Sequence, residues 1–138
     1  MSIGLLIVTH NKIGADLLAT ARDIIGKLPI EVATVDIKAN SNYERKTGEV
    51  EQNIARLDQG DGVLVLTDLF GSTPSNIAVK AAAGHNAKVV AGINLAMLIR
   101  IFNYYKLPLD KLIDKAVAAG HDSVFECNRL TPGKNKDG

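Results

Sequence analysis

The sequence predicts an α/β fold: a doubly wound, mainly parallel sheet of strand order 2-1-3-4, with helices on both faces and a short C-terminal antiparallel edge strand. Three observations predict it. Short apolar, β-rich runs alternate with longer segments whose apolar residues recur at helical spacing. Alternation of this kind favours parallel strands joined by right-handed helical crossovers. Two of the runs, residues 3–8 (IGLLIV) and 63–67 (VLVLT), stop sharply, the first at Thr9-His10-Asn11 and the second at Asp68. In the 2-1-3-4 order these two strands are neighbours, and winding reverses between them. Ligands bind at such a switch point, beyond the carboxyl ends of the strands.

The elements follow in order. After the first strand, residues 14–27 (GADLLATARDIIGK) place Leu17, Leu18, Ala21, Ile24 and Ile25 at helical spacing, and Pro29 stops the helix. Residues 31–37 (EVATVDI) alternate as a second strand, and residues 38–42 form a polar loop. Residues 43–57 read as a polar helix with Val50, Ile54 and Leu57 on one stripe. Gln59-Gly60-Asp61-Gly62 ends it ahead of the third strand, 63–67. Thr73-Pro74 opens the next helix, with Thr as N-cap and Pro at the first helical position, and residues 77–83 (IAVKAAA) carry it to Gly84. Residues 87–93 (AKVVAGI) form the fourth strand. Residues 95–105 are helical, broken before Pro108, and residues 109–119 are helical again, ending at Gly120. Residues 123–127 (SVFEC) give the short fifth strand. One domain over residues 1–127 and a flexible tail over residues 128–138 are expected, the tail being polar with one Pro and two Gly.

Composition narrows the function. At 138 residues, 46% hydrophobic and 22% charged, the chain is long and apolar enough for a packed core. A formal net charge of +1 gives no electrostatic pull toward nucleic acid or an anionic membrane. Few aromatics and no Trp argue against a base-stacking surface. The single Cys127 cannot form an intramolecular disulfide, fits a reducing compartment, and is expected as a buried apolar thiol. The start carries no basic leader or cleavage site, and its apolar run is too short to cross a bilayer. A cytoplasmic location without direct membrane insertion is therefore expected.

His10 and Asp68 end the two strands that flank the switch point. A carboxylate beside an imidazole holds the proton on one ring nitrogen, leaves the other free to attack, and stabilises the positive ring that forms. No Ser is needed if His10 is itself the nucleophile. Gly71-Ser72-Thr73-Pro74-Ser75-Asn76 is a small-residue loop running into a helix N-terminus, where amides and the helix dipole favour an anion. Taken singly, each feature has an ordinary explanation: a solvated strand-end His, a turn Asp, a Ser/Thr helix cap. Placed together on one rim, they point to phosphoryl transfer with catalytic His10 and Asp68, and with Ser72, Thr73 and Ser75 adding hydroxyl donors to the anion site. His85 and His121 read as structural or solvated. No His pair has metal-ligand spacing within one helix, so neither a metal nor another cofactor is expected.

At these residues the chain resembles the IIA component of mannose-type sugar transporters in the bacterial phosphotransferase system. The motifs are LLIVTHNKIG around His10, VLVLTDLFGSTPSNIA around Asp68, and VVAGINLAMLIR after the fourth strand. The likeness runs from Ile3 to about Cys127. It implies a phosphotransferase with a phosphohistidine intermediate: His10 accepts phosphoryl from the phosphocarrier protein HPr and passes it to a IIB domain or protein. It makes Asp68 the hydrogen-bond partner of His10, places Ser72 and Thr73 in the phosphate pocket, and puts Asn94 at the rim. Family members are homodimers that exchange the last, antiparallel strand, and residues 123–127 stand in that strand's place. The chain departs from the family pattern at Ser75, where a larger residue often follows the Pro, and this bears on the partner surface. No linker or IIB domain follows the fifth strand, so a free-standing IIA is expected. The sugar is not readable, because a IIA component touches protein partners.

The same residues bear on other functions of this fold. A receiver-like domain phosphorylated on Asp68 needs acidic residues after the first strand to hold Mg²⁺, and that position reads Thr9-His10-Asn11. A flavin or nucleotide binder needs a loop there rich in Ser, Thr and Gly, which HNKIG is not. The IIA-like carrier of dihydroxyacetone kinase shares fold and His, but GSTP after Asp68 favours the mannose type. A regulatory phosphoprotein without a transporter would use the charge on His10 to choose its partners.

Overall fold

The computed structural model describes residues 2–129. Nine main elements follow one another: β1 (Gly4–His10), α1 (Ile13–Ile25), β2 (Val32–Ile37), α2 (Tyr43–Leu57), β3 (Val63–Thr67), α3 (Thr73–Ala82), β4 (Ala87–Ala91), α4 (Leu95–Asn103) and α5 (Leu109–Asp122). The four strands pair in the order β2-β1-β3-β4, all parallel. The predicted order and direction therefore hold.

The apolar runs form the central strands because both their faces are covered. On one face Leu5, Ile7, Leu64 and Leu66 pack with Leu18 and Ala21 of α1, Leu98 and Ile101 of α4, and Leu112 and Ala116 of α5. On the other, Leu6, Val8, Val63 and Val65 pack with Val50, Ile54 and Leu57 of α2 and Ile77, Ala78 and Ala81 of α3. Alternate residues of one strand thus feed two separate cores, as a sheet with period-two side chains demands. The stripe Val50, Ile54, Leu57 read from the sequence is the buried face of α2.

Four boundaries differ from expectation. The helix-opening cap of α3 is Ser72, so Thr73 occupies the first helical position and Pro74 the second. α1 ends at Ile25, and Gly26 follows in the left-handed region at φ +86°, ahead of Pro29. α5 runs two residues past Gly120, which brings His121 inside its last turn. The fifth strand is absent from the sheet. Residues 124–126 have no regular structure, and Cys127–Arg129 form a single 3-10 turn. A β-prone segment becomes a strand only when an edge pairs with it, and within this single chain none does. Consequently Val124 is 83% and Phe125 62% exposed. Cys127 is exposed as well, not buried as its apolar character suggested. Beyond Arg129, the tail expected over residues 128–138 lies outside the described residues.

One glycine fixes how closely α1 approaches the sheet. A Cβ on Gly14 would stand 2.5 Å from Ile7 Cγ2 and 3.1 Å from Thr9 Cγ2. The close approach lets the Gly14 amide donate to Thr9 Oγ1 at 2.8 Å, which anchors the first turn of α1 to the last residues of β1. Gly14→Ala is expected to cost about 1–3 kcal/mol through overpacking, read as a lower urea midpoint at unchanged m-value.

Candidate functional site

The carboxyl ends of β1 and β3 form the site. In the parallel register Val8 lies opposite Thr67, so both chains leave the sheet at the same level. β1 then turns sharply. Asn11 has φ +47°, in the left-handed region where Asn is among the few tolerated side chains, and its amide donates to the Ile37 carbonyl at 3.0 Å. That turn leaves His10 on the rim. β3 is held equally firmly: the Asp68 carbonyl accepts from the Gly92 amide at 3.0 Å, in a turn that Gly92 makes at φ +90°.

Asp68 Oδ2 accepts two hydrogen bonds from one residue, 3.0 Å from the His10 backbone amide and 2.9 Å from His10 Nδ1. Oδ1 accepts from the Leu69 amide at 2.9 Å. With Nδ1 engaged by the carboxylate, Nε2 is the ring nitrogen left for chemistry; it makes no hydrogen bond among the described residues. The Asp68 side chain is 14% exposed and that of His10 41%. The carboxylate is thus shielded and the imidazole open. Burial pushes the Asp68 carboxyl up and is the largest single influence. The hydrogen bonds from the His10 ring, the His10 amide and the Leu69 amide, with the charge of His10, together outweigh it, and the carboxyl sits below its ordinary value.

A cleft of about 270 Å³ opens beside the imidazole. His10, Asn11, Lys38, Ser41, Tyr43 and Thr73 line it, together with the buried Ile37 and Ile77. The structure therefore brings His10 and Thr73 to one cavity, with Asp68 holding the ring in place. Ser72, the residue before Thr73, is not among those that line the cleft; its hydroxyl donates to the Leu69 carbonyl at 2.6 Å and braces the β3–α3 loop. Ser75 is 4% exposed and its Oγ accepts the Gly71 amide at 3.3 Å, so the departure from the family pattern is an internal strut. Asn94 caps α4 through Oδ1, which accepts from the Met97 amide at 2.9 Å. His85 pairs with Glu51 at 2.9 Å, away from the rim. Sequence reasoning missed Asn11, Lys38, Ser41 and Tyr43. Only the strand pairing gives a signal for Lys38: His10 lies opposite Ile37, which puts Lys38 one residue past that pair.

A family model described as the fructose IIA component of the phosphotransferase system matches residues 4–117. The chain belongs to this mannose-type IIA family. The mannose-specific EIIAB component of Escherichia coli K12 is 30% identical over 127 residues, covering 90% of this chain but 39% of that protein. The chain thus spans well under half of that IIA-containing relative. The mannose/sorbose-specific IIA subunit from Enterococcus faecalis superposes with a TM-score of 0.81 at 28% identity, covering 91% of this chain and 95% of that one. The transcriptional regulatory protein LevR of Bacillus subtilis is 22% identical over 138 residues, 97% of this chain and 14% of LevR. Among the described residues of this IIA component no helix is long and apolar enough to cross a membrane.

The Asp68 carboxyl gives a pH-dependent prediction. A carboxyl whose folded value is depressed contributes stability that is fully present above its unfolded value, roughly pH 4, and lost as pH falls through the folded value. NMR titration of the Asp68 carboxyl carbon is expected to show a midpoint below that of a free Asp. In His10→Ala the midpoint should rise, because the ring's hydrogen bond and charge are gone while both amide bonds remain. An unmoved midpoint in that variant would mean that the amides alone set it.

Proposed function

We propose that this IIA component is a phosphoryl carrier working through a phosphohistidine at His10, as a cytoplasmic protein with HPr as donor and a IIB domain or protein as acceptor. The observation that carries the proposal is the 2.9 Å bond between His10 Nδ1 and Asp68 Oδ2 on a half-exposed imidazole. With the Nδ1 proton held there, the Nε2 lone pair attacks phosphorus and forms the new N–P bond. The donor's N–P bond breaks, and its electron pair returns to the donor's ring nitrogen. The imidazole becomes cationic, and the adjacent Asp68 carboxylate compensates that charge without taking the proton. Thr73 and the amides at the start of α3 meet the phosphoryl oxygens, where the helix dipole favours negative charge. Ser72 serves the pocket indirectly, by holding the loop. Transfer to the acceptor reverses the same steps.

The surroundings suit a protein partner. Leu69 and Phe70, immediately after Asp68, are 64% and 85% exposed, an apolar pair beside the nucleophile of the kind that macromolecular interfaces bury. A homodimer is part of the proposal. β4 is paired on one side only, and the exposed apolar residues Val124 and Phe125 could add to that edge in a second copy. Residues 1–127 would then act as one domain completed by its twin. The likeness to LevR supports a second use of the same chemistry, in which phosphorylated His10 signals to a regulatory partner without a sugar transporter.

Phosphoryl transfer from labelled phosphoenolpyruvate through the general phosphotransferase proteins tests the proposal. Wild type should acquire an acid-labile, base-stable label and His10→Ala none, with both folded by circular dichroism. Asp68→Asn should slow labelling by about 10²–10³-fold, the usual loss when one pre-organised charge partner is removed. Label retained in His10→Ala would overturn the assignment of the nucleophile, and an acid-stable label would place phosphate on a carboxylate. Separately, ending the chain at Asp122 should weaken dimerisation by at least tenfold in analytical ultracentrifugation. A dimer of unchanged stability would rule out strand exchange.

A further inference from the structure

We propose that Lys38 is the charge partner of the phosphoryl group on His10, a positioning residue for transfer in both directions. The inference rests on His10 being the phosphorylated residue. The β1–β2 register sets His10 opposite Ile37, and the Asn11 amide is bonded to the Ile37 carbonyl at 3.0 Å. The chain that leaves β2 is therefore fixed beside the chain that leaves β1, with Lys38 at the cleft that His10 lines. A tight turn secures that position: the Lys38 amide donates to Ser41 Oγ at 2.9 Å, and the Ser41 amide donates to the Lys38 carbonyl at 3.0 Å.

Lys38 is the one cation among the residues that line the cleft, and none of those residues is a carboxylate. Among the described residues Lys38 forms no ion pair with a carboxylate, although Lys46 does so with Glu49 on the neighbouring helix. Its side chain is exposed, so the ammonium on its flexible stem is free to swing toward a new anion. Phosphorylation creates that anion by adding close to two negative charges to Nε2. Asp68, the nearest carboxylate, serves the opposite edge of the ring and repels the phosphoryl group. Thr73 and the first turn of α3 supply neutral donors only. Without Lys38 the only cation in the cleft is the imidazolium itself, whose charge the Asp68 carboxylate already compensates. Lys12, the other lysine close to His10 in sequence, does not line the cavity and serves as a control.

The test loads the full-length protein with phosphoramidate, a small phosphoryl donor that needs no carrier protein. The amide N–P bond of the donor breaks with release of ammonia as the Nε2–P bond forms. Wild type, Lys38→Met, Lys38→Arg and Lys12→Met are compared by ³¹P NMR. Lys38→Met should raise the titration midpoint of the phosphoryl oxygens by about half a unit to one unit and slow loading about fivefold, the scale of one partly exposed charge pair. Lys38→Arg should restore both toward wild type, and Lys12→Met should leave both unchanged. An unmoved midpoint in Lys38→Met, or an equal shift in Lys12→Met, overturns the role of Lys38 while His10 labelling stands. If wild type takes no phosphoryl at His10 from phosphoramidate or from the carrier system, the phosphohistidine itself is overturned and Lys38 with it.

Discussion

One carboxylate oxygen organises the rim of this protein. Asp68 Oδ2 accepts both the backbone amide and the ring Nδ1 of His10, so a single atom fixes where the chain leaves β1 and how the imidazole faces. The bond is possible only because β1 and β3 are adjacent, parallel and in a register that ends them together. That adjacency depends in turn on two cores. A strand covered on both faces cannot slip by one residue without carrying its apolar side chains to the wrong core. The placement of His10 is thus a consequence of the packing beneath it.

The sheet was legible in the sequence because its cause is local. Runs such as Val63–Thr67, and the stripe Val50, Ile54, Leu57, carry the periodicity of the elements they form. Asp68 beside His10 was legible through one further rule, the switch point of a 2-1-3-4 sheet. What could not be read had causes elsewhere in space. Thr73 and Ser72 are both good caps by residue type, yet Ser72 holds the cap position through its backbone alone, its hydroxyl being bonded to the Leu69 carbonyl. Residues 123–127 have strand chemistry but no strand, since an edge to pair with is not a property of the segment. Lys38 looks like any loop lysine until β2 is laid beside β1.

The two sides of the imidazole differ in physical character. On the Nδ1 side everything is fixed: a shielded carboxylate, three amide or ring donors, and strands pinned by the Asn11 and Gly92 turns. Away from that carboxylate the surroundings are open: a cleft that His10 lines with the exposed Lys38, and, just after Asp68 in the chain, the exposed Leu69 and Phe70. Pre-organisation is concentrated where a charge on the ring would be stabilised, and exposure where a partner of the proposed kind would approach.

That asymmetry suits a carrier better than a catalyst that keeps its intermediate. A group that must be handed on cannot be bound much more tightly than either neighbour binds it, because uniform over-stabilisation deepens the well without lowering the barrier out of it. A buried phosphate site ringed by several Arg would trap the phosphoryl group. A half-exposed imidazole with one exposed Lys and one helix N-terminus offers compensation that solvent partly screens and that a partner protein can replace. By this argument the exposure of His10 is itself functional. A second cation at the cleft, introduced as Ala39→Arg beside Lys38, should lengthen the lifetime of the phosphohistidine and slow its passage to an acceptor. Faster passage with a longer lifetime would contradict the argument, since tighter holding and easier release cannot come from the same ground-state charge.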